Sequence, residues 1–311
     1  MTGGDRTVVG VGLACVDQLM VWQDLRAPIL GNKVLQYDVQ GGGMVGTALV
    51  AVTRLGGRAE FWGAVDEDVT GRMILEELQR EGVDVSQAVS VPGGRGPVVP
   101  VCVDKGTGER HIFGGTGIGE PPEPIGDLSR LARAGCLLVD GFAKNSARRA
   151  AAEARRLGVP VVGDVSRIHE KSVEFIAGMD YVVASDFCMA GLGAGDDYRE
   201  ACRKLRAMGP KVAVITRGAR GLAAMDGEAF VEMPAFPVEV VDTTGAGDTF
   251  HGAFCLGLVR GMPLPEILQF ASAAAAMKCR RLGGRAGIPS HPEVLAFLRR
   301  QGAPGKMAAG S

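Results

Sequence analysis

Residues Val240 to Phe250 read Val-Val-Asp-Thr-Thr-Gly-Ala-Gly-Asp-Thr-Phe, which predicts an apolar strand, a turn of small residues and a helix. Because Gly245, Ala246 and Gly247 have almost no side chain, their N–H groups can converge on a phosphoryl group beside the helix start. Asp248 could there accept a proton from a substrate hydroxyl. Taken alone, the stretch also fits a close helix–sheet turn that Asp248 merely caps.

Composition indicates a globular chain without a strongly charged surface. The 311 residues include 34 Lys and Arg against 35 Asp and Glu, a formal charge of −1, which argues against nucleic-acid binding as the main activity. Hydrophobic residues make up 46% of the chain, which also has 47 glycines and only 5% aromatic residues. This balance is typical of a fold with many tight strand–helix turns.

Cysteine usage and hydropathy predict a cytoplasmic protein without a membrane span. The seven cysteines are scattered without a Cys-x-x-Cys pair, so we expect buried thiols rather than disulfides or zinc ligands. The first residues do not resemble a secretion signal, and no run of about 18 apolar residues occurs. The four histidines lack a spacing suited to zinc.

Strand-like and helix-like segments alternate along most of the chain. Such alternation predicts a doubly wound, mostly parallel sheet with helices on both faces and a ligand at the carboxyl ends of the strands. The predicted strands are 7–13, 59–65, 136–139, 159–163, 181–184 and 211–216, and the predicted helices are 48–55, 146–157, 171–177 and 197–208.

Two segments, about 16–39 and 95–113, break this alternation because they are strand-like and have no amphipathic helix between them. They predict a second, smaller sheet, which we interpret as a lid over the site. The lid would be part of one domain spanning 1–301. The tail 302–311 has no periodicity and is predicted to be mobile.

The nine residues from Asp242 to Phe250 resemble the C-terminal signature of the PfkB, or ribokinase-like, family of carbohydrate and nucleoside kinases. The resemblance extends over about residues 6–300. It implies an α/β ribokinase-like fold with a β-sheet lid, ATP and Mg²⁺ as cofactors, and pairing of two subunits through the lid. It also implies that Asp248 is the catalytic base and that Gly245, Ala246 and Gly247 form the anion hole.

Earlier residues resemble the family's sugar site. Gly41-Gly42-Gly43 precedes a small-residue helix ending in Arg-Leu-Gly, so the resemblance places Gly42 and Gly43 against sugar hydroxyls. The family usually has asparagine where this chain has Thr47, which replaces a bidentate contact by a single hydroxyl. Asp17 matches a carboxylate that would accept hydrogen bonds from two substrate hydroxyls.

Val214 to Gly221 resembles the family's nucleotide loop, in which Thr216 and Gly218 approach the phosphates and Gly221 permits the turn. The alternative from the residues alone is an ordinary hairpin connection. Neither a P-loop motif nor a strand-linked Gly-x-Gly-x-x-Gly is present, which disfavours P-loop enzymes and dinucleotide oxidoreductases.

The cation sites implied by the resemblance are incomplete. Ser185-Asp186-Phe187-Cys188 stands where many members carry Asn-x-x-Glu, so Mg²⁺ would be held mostly by phosphates and water, with Asp186 as a substitute ligand. A monovalent cation, potassium, would lie near Asp242, Thr244 and the helix that contains Phe270 to Cys279.

One subgroup resemblance concerns sulfofructose kinases. It rests on residues 278–289 and on Gly31-Asn32-Lys33, in which Lys33 matches a lysine that contacts a sulfonate. Gly114 and Phe142, however, stand where asparagine and arginine would be expected, so two of three sulfonate contacts are missing.

The sequence therefore predicts an ATP-dependent kinase that phosphorylates a primary hydroxyl of a ketose or related furanose. A nucleoside kinase of the same family is one alternative, although the lid offers only Trp22 and Phe113 for base stacking. A non-catalytic protein that senses a sugar or nucleotide is the other. The complete Gly-Ala-Gly-Asp stretch disfavours that alternative, because a binder needs no base.

Overall fold

The computed structural model describes residues 6–27, 30–93, 97–107, 110–114, 125–169 and 172–302. In chain order its strands are β1 (Thr7–Val11), β2 (Cys15–Trp22), β3 (Val34–Gly42), β4 (Arg58–Trp62), β5 (Ala64–Asp66), β6 (Val83–Asp84), β7 (Val89–Val91), β8 (Val98–Asp104), β9 (Arg110–Ile112), β10 (Ala134–Val139), β11 (Val161–Val165), β12 (Tyr181–Ser185), β13 (Val212–Thr216), β14 (Leu222–Asp226) and β15 (Ala229–Met233). Its α-helices are α1 (Met44–Arg54), α2 (Val69–Arg80), α3 (Lys144–Arg156), α4 (Ser172–Ala177), α5 (Met189–Leu192), α6 (Tyr198–Ala207), α7 (Ala246–Val259), α8 (Leu264–Lys278) and α9 (His291–Gln301). All but the first residue of the predicted mobile tail lies outside these ranges.

The main sheet has nine strands within the described residues, in the order β15-β14-β13-β12-β11-β10-β1-β4-β6. Its neighbours pair in parallel from β13 to β6, and only β14 and β15 join antiparallel. The strand order reverses at β1, which lies between β10 and β4. In open α/β sheets this reversal creates a crevice at the carboxyl ends of the strands.

Helices cover both faces of this sheet, as the alternation predicted. Successive strand residues point to opposite sides, so Val214 of β13 joins one apolar core and Ile215 joins the other. The first core contains buried residues of α1, α7, α8 and α9, and the second contains those of α3, α4 and α6. The predicted doubly wound α/β fold, with helices on both faces of a mostly parallel sheet, is thereby confirmed.

The predicted smaller sheet is also confirmed. Its order is β3-β2-β8-β9, with β2 and β8 parallel and the two outer pairs antiparallel. A small core of Leu19, Val101 and Val103 holds it together, and Leu282 from the chain after α8 packs against this core. We call this four-stranded sheet the lid sheet.

Two details differ from the sequence prediction. The predicted strand 59–65 is split into β4 and β5, because the chain leaves the sheet at Gly63, where a Cβ would lie 2.8 Å from the carbonyl oxygen of Gly12. The predicted apolar strand before the small-residue turn is wrong. Val240 and Val241 are more than half exposed and form no strand, and the N–H of Val241 instead donates to the carbonyl of Cys279.

Two expectations about side chains and helices can be compared directly with the described residues. All seven cysteines are buried free thiols, as predicted. None of the helices in the described ranges combines the length and the apolar character needed to cross a bilayer.

Candidate active site

A cleft of about 510 Å³ lies between the lid sheet and the carboxyl ends of the main-sheet strands. Seven of the predicted site residues line it, namely Asp17, Gly43, Thr216, Thr244, Gly245, Gly247 and Asp248. They come from β2, from the N-terminus of α1, from the end of β13 and from the start of α7. Residues that are remote in sequence therefore meet at one site, where the strand order reverses.

The small-residue turn, which is the segment from Gly245 to Gly247, has the conformation that the sequence predicted. Gly245 has a left-handed φ of 74°, and a Cβ there would lie 2.4 Å from the carbonyl oxygen of Gly284. A Cβ on Gly247 would meet nothing within 4 Å, so its backbone faces open space in the cleft. Helix α7 begins at Ala246, whose N–H donates to the carbonyl of Thr243 at 3.2 Å. Ala246 does not line the cleft, so of the three predicted anion-hole residues Gly245 and Gly247 border the space where a ligand would bind.

Asp248 lies half-buried in the first turn of α7. Burial raises the pKa of its carboxyl well above the usual value, and the nearby carboxyls of Asp164 and Asp17 raise it further. Lys278 and Arg110 act in the opposite direction. A carboxyl with a raised pKa is a stronger base once it is deprotonated, which suits proton abstraction from an alcohol.

Asp17 lies on β2 directly over Gly42. A Cβ on Gly42 would lie 2.3 Å from the Asp17 carboxylate, so only glycine fits under this side chain. The Cys15 thiol donates to Asp17 Oδ1 at 3.3 Å, and burial raises the pKa of Asp17. Gly43, with φ 84°, is the N-cap of α1 and lies close to the backbone of Leu13. The predicted sugar-site residues Asp17, Gly42 and Gly43 are therefore adjacent.

Thr47 does not line the cleft. Its side chain is 1% exposed, and its hydroxyl lies 3.4 Å from Nε of the buried Arg285, which donates to it. Arg285 also donates to the carbonyl of Gly42 at 2.7 Å and pairs with Glu77 at 3.3 Å. The Arg285 guanidinium thus holds the backbone of Gly42 in place through contacts outside the cleft. Sequence reasoning missed this role, although Arg285 lies within the Gly-Gly-Arg-Ala-Gly segment of the subgroup resemblance.

Lys33 is exposed and is not among the cleft residues. The lid cation that does line the cleft is Arg110, which sequence reasoning also missed. Its Nη1 donates to Thr243 Oγ1 at 2.5 Å, so it joins the lid sheet to the small-residue turn. Gly114 and Phe142 line the cleft as well, and Phe142 is 61% exposed.

The predicted nucleotide loop connects β13 to β14. Thr216 lines the cleft and donates from its hydroxyl to the carbonyl of Ala184 at 3.3 Å. Gly218 and Gly221 both have left-handed φ values and lie outside the cleft lining. A Cβ on Gly221 would lie 1.9 Å from the carbonyl oxygen of Met233, so this glycine permits close packing of the turn.

The predicted cation ligands are occupied by other groups. Asp186, the predicted substitute magnesium ligand, pairs with Arg220 at 3.1 Å, and its role toward magnesium stays a prediction. Asp242 Oδ1 accepts from the N–H and the hydroxyl of Thr244, both at 2.8 Å, and Oδ2 accepts from the N–H of Gly283 at 2.7 Å. No group of three or more His, Cys, Asp or Glu side chains suited to a metal occurs in the part of the chain that the structure describes.

Behind Asp248, His251 connects three elements. Its Nδ1 lies 2.7 Å from the carbonyl oxygen of Gly247, and its Nε2 lies 3.2 Å from that of Val183 and 3.6 Å from Asp164 Oδ1. The ring thereby ties the anion-hole turn to β12 and β11. The sequence signal for this position was its spacing of three residues from Asp248, which places both on neighbouring turns of α7.

Asp140, the residue after β10, connects the chain segments that follow β1 and β10, where the strand order reverses. Its carboxylate accepts from the N–H of Leu13 at 2.8 Å and from that of Phe142 at 2.9 Å. A Cβ on Gly12 would lie 2.3 Å from Asp140 Oδ2. Burial raises the pKa of Asp140 to about 7, which the two backbone donors partly offset.

Comparison with known proteins places this site in a family. The model described as pfkB family carbohydrate kinase matches residues 6–291. The chain is 26% identical over 297 residues to the ribokinase of Bacillus subtilis strain 168, covering 94% of this chain and 99% of the relative. It is 25% identical over 318 residues to the 5-dehydro-2-deoxygluconokinase of Geobacillus kaustophilus, covering 94% and 93% of the two chains.

A solved structure shows the same architecture. The ribokinase of Arabidopsis thaliana complexed with ribose and ATP is 26% identical and superposes with a TM-score of 0.83, covering 96% of this chain and 99% of the other. The family match extends over far more than half of the chain.

Proposed function

Because the chain belongs to the pfkB family of carbohydrate kinases, we propose that it transfers the terminal phosphoryl group of ATP to a primary hydroxyl of a neutral sugar, a ketose or related furanose. The observation that carries this proposal is the position of Asp248. Its carboxyl lies in the cleft beside the open backbone of Gly247 and close enough to Asp17 for the two charges to interact.

Asp248 acts as the general base in this proposal. Deprotonated, it accepts the proton of the acceptor hydroxyl as the oxygen attacks the phosphorus atom, and the neighbouring carboxyls make it more basic. The N–H groups of Gly245 and Gly247 and the Arg110 guanidinium stabilise the negative charge that develops on the transferring group. These donors are in place before substrate arrives, which lowers the cost of reorganisation.

Asp17, Gly42 and Gly43 position the acceptor. An ionised carboxylate accepts two hydroxyl hydrogen bonds, and the glycine backbone allows the sugar ring to approach closely. Arg285 keeps the carbonyl of Gly42 turned away from the sugar by donating to it. In this proposal Thr47 contributes by supporting Arg285.

Thr216 lines the side of the cleft at which the nucleotide would bind, and Gly218 and Gly221 belong to the turn that follows it. Bound Mg²⁺–ATP supplies the phosphoryl group together with the metal charge that neutralises it. Because the described residues offer no cluster of three metal-ligating side chains, phosphate and water oxygens would provide most magnesium ligands.

A neutral acceptor fits the charges of the cleft. Asp17, Asp164 and Asp248 line it, whereas Arg110 is the only Arg or Lys among its described lining residues. Phe142 presents an exposed ring where an anionic head group would need a polar partner. An anionic substituent such as a sulfonate would face net repulsion and lack a bidentate contact.

We also propose a homodimer formed through the lid sheets. Strand β3 is an edge strand of the lid sheet, and Val34, Leu35, Tyr37 and Val39 on it are each more than one third exposed. An exposed apolar edge strand is commonly covered by a second chain. Light scattering should give twice the chain mass, and Tyr37→Glu should shift it toward one chain mass.

The decisive experiment is an acceptor panel assayed for ADP release, with ribose, fructose, sulfofructose, adenosine and no acceptor. Phosphorus NMR of the product identifies the phosphorylated hydroxyl. Fast turnover of a neutral sugar at a primary hydroxyl supports the proposal. Turnover of adenosine alone would establish a nucleoside kinase, and ATP binding without any transfer would establish a binding protein.

A further inference from the structure

Lys278, the last residue of α8, is completely buried beside the anion-hole turn. Its Nζ donates to the backbone carbonyl of Asp242 at 2.9 Å. Burial lowers the pKa of Lys278, whereas the Asp242 and Asp248 carboxyls raise it. A lysine ammonium is rarely buried without a compensating charge, so its position here calls for a reason.

The ammonium contacts the backbone carbonyl of Asp242, and its charge also interacts with the carboxylate of the same residue. Burial alone would raise the pKa of Asp242, but the Lys278 charge and the donors of Thr244 and Gly283 lower it overall. Asp242 is therefore held as an anion. The turn that precedes Asp248 thus contains a buried pair of opposite charges, and a third charge, Arg110, interacts with both Lys278 and Asp248.

The residues that the family resemblance assigned to a potassium ion do not fit such an ion. Both carboxylate oxygens of Asp242 already accept hydrogen bonds from the protein, and its backbone carbonyl oxygen accepts from Lys278. Potassium needs several oxygen atoms with free lone pairs, and a positive charge close by would repel it.

We propose that the Lys278 ammonium is a built-in monovalent cation, which holds the anion-hole turn in place and makes the protein independent of potassium. An ammonium group and a potassium ion carry the same charge, and both bind to carbonyl and carboxylate oxygens. A tethered cation, unlike a free ion, does not dissociate when the salt composition changes. The turn would therefore keep its geometry in any monovalent salt.

The test is chemical rescue of Lys278→Ala, which removes the ammonium and leaves space for an ion. Activity and thermal unfolding are measured in equal concentrations of potassium, ammonium, sodium and tetramethylammonium chloride. For the wild type, kcat should differ by less than about twofold among the four salts, because the ionic strength is the same in all of them. Its Tm should differ by less than about a few degrees. For the variant in tetramethylammonium, kcat should fall by about 10- to 100-fold, the range for losing a charge-assisted hydrogen bond.

Potassium and ammonium should restore most of the lost kcat of Lys278→Ala and raise its Tm, since an ion that binds only the folded state stabilises it. The matched control is Lys204→Ala. Lys204 also donates to backbone carbonyls, those of Leu192 and Gly193, at the opposite side of the fold from α8. Its removal should produce no cation-specific change in kcat or Tm.

The inference is wrong if the wild type needs potassium for activity, or if no small cation restores Lys278→Ala. Should that variant fail to fold in tetramethylammonium, its refolding yield in potassium becomes the measurement, and failure in every salt also overturns the inference. The activity measurement rests on the proposed kinase function, but the Tm and refolding measurements do not. Cation-specific stabilisation without phosphoryl transfer would refute only the proposed function.

Discussion

The small-residue turn and the lid sheet face the same cleft but are built in different ways. Asp242, Thr244 and Gly283 are bound to one another, and Lys278 and His251 anchor the turn from below. The lid sheet has a small core and an exposed edge strand, and Arg110 connects it to the turn by a side-chain hydrogen bond to Thr243. In the proposed reaction the chemistry therefore depends on the region with more internal contacts, and the choice of acceptor depends on the region with fewer. Substitutions in the turn should change kcat, and those at the lid's outer edge should change little.

The largest effect is expected for Asp248→Asn. The near-isosteric amide cannot accept the proton, so kcat should fall by about 100-fold or more, the usual range for a lost general base. Calorimetry should show sugar and ATP binding within about threefold of wild type. Turnover within about threefold of wild type at saturating substrate would mean that Asp248 only caps α7.

A smaller effect is expected where the two regions touch. Arg110→Met removes the guanidinium that reaches Thr243, and kcat/KM should fall by about 10- to 100-fold because a charge-assisted contact is lost. Lys105→Met is the matched control, since Lys105 is an exposed lid cation outside the cleft. Equal losses in the two variants would show that lid charge in general, and not the contact with the turn, matters.

The pH dependence of kcat/KM should reveal the electrostatic interaction between Asp248 in α7 and Asp17 in β2. A base must be deprotonated, so activity should rise with pH through the raised pKa of Asp248, above the usual value of 3.8 for an aspartate. Asp17→Asn removes a neighbouring negative charge and should shift this acidic limb to lower pH. The measurement is the midpoint pH of the acidic limb and not the maximal value of kcat/KM. A midpoint that is the same in Asp17→Asn and in the wild type would show that the two carboxyls do not interact.

The smallest effect is expected for Lys33→Met. The resemblance suggested a contact with an anionic substituent, but the side chain is exposed outside the cleft. A surface substitution of this kind is typically worth about 0.5 kcal/mol or less, so KM should change less than about twofold for both sulfofructose and fructose. If Lys33→Met raised KM for sulfofructose but not for fructose, Lys33 would contact the anionic substituent, and the proposal of a neutral acceptor would be contradicted.

The fold was predictable because its signals are local and repeated. Period-two and period-3.6 apolar patterns predicted most strands and helices of the main sheet, and the absence of helices between two strand-like segments predicted the lid sheet. The error at Val240 and Val241 has a physical reason. Two consecutive apolar residues need not belong to a strand. Here the N–H of Val241 donates to the carbonyl of Cys279, and the segment pairs with no neighbouring strand in the described part of the chain.

The catalytic turn was predictable from its residues, but its supports were not. The proposed roles of Gly245 to Asp248 depend on backbone conformation and one nearby carboxyl, which a short motif encodes. Arg285, His251 and Lys278 act through contacts with residues up to 243 positions away in sequence, and nothing local indicates those partners. Thr47 was assigned to the sugar because its burial behind Gly42 could not be inferred from spacing.

The two carboxylates that lie over glycines have a consequence for how this protein can change. A Cβ at Gly12 or Gly42 would collide with the carboxylate of Asp140 or Asp17, respectively, so replacing either glycine requires that carboxylate to move or to be shortened. Changing each glycine together with its aspartate avoids this collision, which a replacement of the glycine alone would create. Libraries that vary acceptor choice should sample each glycine jointly with a shortened partner, such as Gly42→Ala with Asp17→Ser, because a library that varies the glycine alone keeps the collision.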